Sequence, residues 1–139
     1  MRIVATSILF VISASAFACE GLDVNDAWIR EAPPGADVLA GYAHLHNASE
    51  QSITLDGARS SDFGDVEMHR TSMENGKMRM TAEPRVLLEP DATVSFEPGG
   101  LHLMLFEPKH ALKAGDHVTL KLDCGKQSKP VDFTVRAEQ

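Results

Sequence analysis

Residues 66–82 have the sequence VEMHRTSMENGKMRMTA, in which two alternating runs are joined by Asn75-Gly76. An Asn-Gly pair between two such runs is a strong signal of a β-hairpin with a two-residue type I′ turn. This turn predicts the cross-strand pairs Glu74 with Lys77, Met73 with Met78, Thr71 with Met80, and His69 with Ala82. His69 and Met80 then become diagonal neighbours on one face, about 7–8 Å apart, a distance that long side chains span.

Turn residues recur along the rest of the chain at intervals that suit short strands. Proline and glycine clusters separate alternating segments roughly every 8–15 residues, which leaves little room for helices and indicates an antiparallel sandwich or barrel. We predict an all-β fold, an antiparallel two-sheet sandwich, in one domain, because no repeat, low-complexity tract or linker follows residue 18. The predicted strands cover residues 22–29, 41–47, 52–58, 66–72, 77–82, 93–97, 101–106, 117–123 and 131–136.

The predicted strand at residues 101–106 carries two different faces. Because side chains alternate along a strand, the leucines at 101, 103 and 105 point one way and are expected in the core. His102 and Met104 then lie together on the opposite face. An imidazole and a thioether two residues apart can meet one shared ligand.

The composition excludes several classes of protein. The chain has 139 residues, with 20 Asp plus Glu against 13 Lys plus Arg and a net charge of −7. Because nucleic acids and anionic membranes are bound by clustered positive charge, we expect neither as a partner. The sequence also lacks Gly-x-Ser-x-Gly, His-Glu-x-x-His and Gly-rich phosphate motifs, so we expect no enzymatic activity.

The N-terminus carries the pattern of a secretory signal peptide. Arg2 precedes an apolar run at residues 3–12, and Ala16 and Ala18 occupy the small-residue positions before a cleavage site. We predict that residues 1–18 are removed on export to the periplasm and that residues 19–139 form the single domain. The apolar run is short for a transmembrane helix, and we expect no membrane span elsewhere.

Two cysteines remain in the predicted exported chain, Cys19 and Cys124. In an oxidising compartment the first expectation is a disulfide between them. Cys19, at the new N-terminus, is alternatively a lipid-attachment cysteine, and a third possibility is two free thiols. The intact mass of the exported protein distinguishes the three states.

Methionines are concentrated in the hairpin, since four of the six lie within residues 68–80. Thioether sulfur is a soft, neutral ligand that selects Cu(I) over hard cations, and imidazole suits copper as well. A site made of His69, Met80, His102 and Met104 would hold a soft monovalent ion such as Cu(I) with no charged ligand. A blue-copper electron carrier is not expected, because no His or Met closely follows Cys124.

The spacing of these four residues resembles that of a known family. Ten, twenty-one and one residues separate His69, Met80, His102 and Met104, as in the periplasmic copper chaperone A family, PCu(A)C. Flanking segments are similar to the family's as well, at residues 27–30, 41–42, 47, 66–69, 73–76, 78–80 and 98–105. The resemblance implies a cupredoxin-like β-sandwich that holds one Cu(I) ion per chain with those four side chains. It also implies delivery of copper toward the CuA centre of cytochrome c oxidase, alongside thiol-bearing Sco-type partners.

Other readings of the sequence stay open. A metal-free β-sandwich binding or assembly module, and a copper storage or detoxification protein, are the alternative functions. Met73 and Met78 lie on the predicted ligand face, where packing under the hairpin is the first expectation and ligation the second. His44 and His46 form a chelating pair or, as we expect, an exposed strand face. The oligomeric state is open, with a monomer expected.

Overall fold

Residues 18–137 are described by the structure, a computed structural model, and they contain eleven β-strands and no helix. The predicted signal peptide, except for Ala18, lies outside the described residues. The strands are β1 (Leu22–Arg30), β2 (Val38–Asn47), β3 (Ile53–Leu55), β4 (Gly57–Arg59), β5 (Phe63–Glu74), β6 (Lys77–Ala82), β7 (Val86–Leu88), β8 (Thr93–Phe96), β9 (Leu101–Pro108), β10 (His117–Cys124) and β11 (Gln127–Arg136).

All nine predicted strands are present, with two differences. The segment predicted at residues 52–58 is divided at Asp56, because β3 pairs with β7 whereas β4 pairs with β10. β7 was not predicted, because three residues between Pro84 and Pro90 are too short to show an alternating pattern.

The strands form a nine-stranded sheet, in the order β4-β10-β11-β1-β2-β8-β9-β5-β6, and a two-stranded sheet of β3 and β7. This confirms the predicted all-β, cupredoxin-like sandwich. The ladders are antiparallel except for β1 with β11 and the single pair that links β8 to β9. One edge of β2 pairs with β9 along its first half and with β8 along its second half.

The core lies between these layers and is filled mainly by aliphatic side chains. Leu101, Leu103 and Leu105 of β9 are buried in it, as predicted from the alternation of that strand. Met68 of β5 belongs to the same cluster. Since these side chains occupy the inner face of β5 and β9, the residues that alternate with them lie on the outer face.

A disulfide links the segment before β1 to the end of β10. Cys19 and Cys124 form a disulfide, with a Cα–Cα distance of 5.5 Å, and both residues are buried. This was the first of the three sequence-based expectations. In this state neither sulfur is free to carry a lipid thioether. Within residues 18–137 no helix has the length and apolar character needed to cross a bilayer.

Candidate metal site

The hairpin of β5 and β6 has the predicted turn and register. Asn75 and Gly76 have φ angles of 51° and 74°, the positive values that a type I′ turn requires at both central residues. The ladder pairs Glu74 with Lys77, Met73 with Met78, Thr71 with Met80, and His69 with Ala82. His69 and Met80 are therefore on one face, on neighbouring strands.

β9 brings the second pair of predicted ligands to the same face. It lies on the other side of β5, where His102 is the direct partner of His69, and Met104 is the partner of Glu67. The two imidazole rings have centroids 6.2 Å apart. All four predicted ligands thus lie on the outer face of three adjacent strands, at the alternate ladder positions of Glu67, His69 and Thr71.

Three of the four line a common cleft of about 380 Å³. Met80, His102 and Met104 form part of its wall together with Tyr42 and Thr71. His69 lies beside the cleft, next to the ring of His102. His102 is 6% exposed and Met80 is 53% exposed, so the imidazole side of the site is covered while the hairpin methionine is in contact with water.

His102 presents one fixed nitrogen as a ligand. Its Nδ1 lies 2.9 Å from the backbone carbonyl oxygen of Gly100. Because a carbonyl only accepts hydrogen bonds, Nδ1 carries the proton and donates it, which leaves the lone pair of a neutral ring on Nε2. Metal-binding histidines typically donate such a hydrogen bond from the ring nitrogen that does not bind the metal, and this bond fixes the tautomer and the ring orientation.

His69 is held by a carboxylate instead. Its Nε2 donates to Oε2 of Glu67 at 2.6 Å, so in the neutral ring the lone pair is on Nδ1. Among the residues that the structure describes, this buried Nδ1 has no hydrogen-bond partner. A buried acceptor without a partner costs about 1–3 kcal/mol, and a bound cation would remove that cost. The donor set therefore fits a metal ion.

The soft character of the site depends on its methionines. The described residues hold no cluster of three or more His, Cys, Asp or Glu side chains that could bind a metal ion. Hard cations such as Ca²⁺ and Mg²⁺ bind through several oxygen ligands, which this arrangement lacks. Two imidazoles and two thioethers instead suit a soft ion.

Comparison with known proteins agrees with this geometry. Residues 22–136 match a protein family described as "LpqE-like: Putative lipoprotein LpqE-like". The chain belongs to this LpqE-like, PCuAC-type family. The resemblance noted in the sequence is thereby confirmed.

Individual relatives show how far the similarity extends. The chain is 31% identical over 120 residues to "Putative lipoprotein Lxx21020" of Leifsonia xyli subsp. xyli, covering 84% of this chain and 70% of that protein. The solution structure of CuI-DR1885 from Deinococcus radiodurans is 27% identical, with a TM-score of 0.64, over 88% of this chain and 83% of that chain. The copper-bound PCuAC domain from PmoF2 is 23% identical, with a TM-score of 0.71, over 85% and 94% of the two chains, and shows the shared fold.

Glu67 is a further residue of this face that is not among the ligands predicted from the sequence. Glu67 lies on the ligand face, pairs with Met104 and holds the ring of His69. The signal was available, because Glu67 precedes His69 by two residues and side chains two apart on a strand share a face. Because its carboxylate is charged, Glu67 does not belong to the neutral donors that predict a Cu(I) site.

The other histidines have separate partners. His44 is hydrogen-bonded to Ser95, and His46 to Asp91, on the outer surface of β2 and β8. The expectation of an exposed strand face is supported for this pair. His110 pairs with Asp62 and His117 with Asp132 at the surface.

Proposed function

We propose that this protein binds one Cu(I) ion through His69, Met80, His102 and Met104 and passes it to an acceptor protein by ligand exchange. The observation that carries the proposal is the convergence of two oriented imidazoles and two thioethers on one outer face. The ligand atoms would be Nδ1 of His69, Nε2 of His102 and the two methionine sulfurs.

The chemistry of these donors favours the cuprous ion. All four are uncharged when they coordinate, and thioethers prefer soft, low-valent metals. The carboxylate of Glu67 lies next to His69 and places one negative charge beside the ion, outside its set of direct ligands. The copper-bound PCuAC domain from PmoF2 and the CuI-DR1885 structure support the choice of copper.

Ligand exchange explains how such a site would release its ion. Thiolates bind Cu(I) strongly and carry the negative charge that the four direct ligands lack. The hairpin methionine is already half-exposed, so an incoming thiolate can replace Met80 first while the histidines still hold the ion. A thiol-bearing Sco-type protein, or the CuA subunit of cytochrome c oxidase, is the acceptor that we propose.

An exported protein would share a compartment with such acceptors. The relatives named lipoproteins support an exported protein. Residues 1–18 have the features of a signal peptide, and the Cys19–Cys124 disulfide suits an oxidising compartment. We therefore propose the periplasm as the site of action.

Competition against a Cu(I)-specific chelator tests copper binding. The double variant Met80→Ala, Met104→Ala removes two ligands. Loss of an outer-shell partner alone commonly costs about 10–100-fold in affinity, so a larger loss is expected here. Met68→Leu is the matched control, because Met68 is buried on the opposite face of β5. Equal affinity in the double variant and the control would overturn the assignment.

A second experiment separates delivery from storage. Copper-loaded protein is mixed with a purified CuA domain or a Sco-type protein, and the metal content of each is measured after separation. Delivery predicts transfer faster than the release of copper to buffer. It also predicts lower oxidase activity in a deletion strain grown with limiting copper. Normal oxidase activity combined with sensitivity to excess copper would instead favour storage or detoxification.

A further inference from the structure

Two more methionines continue the ligand face toward the tip of the hairpin. Met73 and Met78 are direct partners across β5 and β6, and they lie on the same face as Thr71 and Met80. The next residues along the chain are Glu74 and Lys77, which flank the turn. The methionine pair is therefore the outermost pair on this face of the hairpin.

The first expectation from the sequence, that these two side chains pack under the hairpin, is wrong. Met73 is 64% exposed and Met78 is 72% exposed. The physical reason is the position of β6 at the end of the nine-stranded sheet, where every one of its residues is exposed. Packing therefore does not account for methionine at either position.

The geometry of the pair suits a soft cation. Directly opposed residues in an antiparallel ladder have Cβ atoms about 4.5–5.5 Å apart, and methionine has three rotatable side-chain bonds. Two sulfurs can thus approach one ion without a change in the backbone. Met80 follows Met78 by two residues on the same face and supplies a third thioether.

The charged groups of the hairpin leave this face unobstructed. Side chains alternate along β5 and β6, so Glu74, Lys77 and Arg79 lie on the opposite face from the methionines. Arg79 is also paired with Glu74 at 3.0 Å. No hairpin cation is therefore placed between the three sulfurs.

We propose that Met73, Met78 and Met80 form a second, weaker site for a soft monovalent cation, Cu(I) or Ag(I). This inference rests on the proposed function, because Met80 is shared with the histidine site. An incoming ion is first held by the three thioethers at the tip. Met80 then moves with the ion to His69, His102 and Met104, while Met73 and Met78 are released. No electron is transferred, and sulfur–metal bonds are exchanged for nitrogen–metal and sulfur–metal bonds.

Ag(I) titration of the protein labelled with ¹³C at the methionine methyl groups tests the site directly. Ag(I) is a soft probe that does not change oxidation state under these conditions. In the wild-type protein, we expect the methyl signals of Met80 and Met104 to shift first. In the variant His69→Ala, His102→Ala, where the histidine site no longer holds Met80, the signals of Met73, Met78 and Met80 should shift together. The signal of buried Met68 is the internal control and should stay in place. Unmoved Met73 and Met78 signals in this variant at excess Ag(I) would overturn the proposal.

A variant lacking the histidine ligands isolates the second site. His69→Ala, His102→Ala is expected to retain weak Ag(I) binding, and adding Met73→Leu, Met78→Leu should abolish it. Met73→Leu, Met78→Leu alone replaces exposed side chains, so it is expected to fold normally. This variant should keep the wild-type Cu(I) affinity but load more slowly from a Cu(I) donor. An unchanged loading rate would contradict the proposal that Met73 and Met78 hold the incoming ion. The first site is tested separately, by the loss of Cu(I) affinity expected in Met80→Ala, Met104→Ala.

Discussion

Oε2 of Glu67 lies 2.6 Å from Nε2 of His69. Glu67 precedes His69 by two residues, and both side chains are on the same face of β5. This bond fixes the tautomer that leaves Nδ1 unprotonated in the neutral ring. Glu67→Ala is expected to lower Cu(I) affinity by about 10–100-fold, the usual cost of removing an outer-shell partner of a metal ligand. Chelator competition measures the change.

Glu67→Gln separates orientation from charge. The glutamine carbonyl still accepts the hydrogen bond from Nε2 but carries no charge, so an affinity between those of wild type and Glu67→Ala is expected. Glu83→Ala, which removes a carboxylate paired with Arg70, is the control. Nitrogen-15 shifts of the Ag(I)-loaded protein report the ligand atom. Coordination through Nε2 of His69 would contradict the proposed role of Glu67.

Gly76→Ala tests whether the turn positions Met80. Gly76 has a φ angle of 74°, and a Cβ placed there would meet nothing within 4 Å, so the cost comes from the backbone alone. A left-handed conformation costs an L-residue roughly 1–2 kcal/mol. We therefore expect Gly76→Ala to lower the free energy of unfolding by about that amount and also to weaken Cu(I) binding.

Gly125→Ala is a matched control for this turn. Gly125 also has a positive φ, 65°, with nothing within 4 Å of a Cβ, but it joins β10 to β11. Its substitution should cost similar stability, measured by denaturant unfolding, and leave Cu(I) affinity unchanged. Equal losses of affinity in the two variants would mean that general destabilisation, and not the hairpin, controls binding.

The Cys19–Cys124 disulfide is expected to stabilise the fold without contributing to the metal site. It closes a loop with a sequence separation of 105, and removing a native disulfide from a small exported domain typically costs about 2–5 kcal/mol. The double variant Cys19→Ala, Cys124→Ala avoids a free thiol that would itself bind copper. Denaturant unfolding should show the loss, with Cu(I) affinity retained.

The mass of the exported protein provides an independent check of this bond. A disulfide lowers the intact mass by two hydrogen atoms relative to the dithiol, whereas a lipid on Cys19 raises it. A lipid-sized increase would contradict the disulfide.

Asp26 makes a small, pH-dependent contribution to the stability of the fold. Its hydrogen bond with Arg136, 2.7 Å long, lowers the pKa of the carboxyl below the ordinary value of 3.8. A lowered folded-state pKa means that the stabilisation is present above the unfolded pKa and is lost as the pH falls through the folded value. Both side chains are about half-exposed, so the contribution is at most about 1 kcal/mol.

Asp26→Asn tests this contribution to stability without disturbing the backbone. Asp26 has a φ angle of 50°, which asparagine also tolerates. Unfolding free energies of variant and wild type should differ slightly at neutral pH and converge in acid, below the range where the carboxyl protonates. A difference that persists in acid would exclude the ion pair as its cause.

Local features of the site were predictable from the sequence. A two-residue turn sets the register of its hairpin, so the placement of His69 opposite Ala82 followed from Asn75-Gly76 alone. Alternation likewise separated Leu103 from His102 on β9. Hairpin register and side-chain alternation are predictable because they depend only on residues that are close in sequence.

Features that depend on which strands are neighbours were not predictable in the same way. The exposure of Met73 and Met78 follows from the position of β6 at the end of the sheet, which the sequence does not specify. The division of residues 52–58 has a similar origin, because the two halves pair with different strands. The pairing of His69 with His102 also depends on a long-range ladder between β5 and β9. The family resemblance implied only that both residues bind one ion.

The place of β6 at the end of the sheet affects how long an ion would stay bound. β6 pairs with β5 alone, while β5 and β9 have a neighbour on each side. A terminal hairpin frays at a lower free energy than the whole domain unfolds. Each such opening would withdraw Met80 and leave the other three ligands in position. The residence time of copper would then follow the same local opening that governs deuterium exchange at the β6 amides.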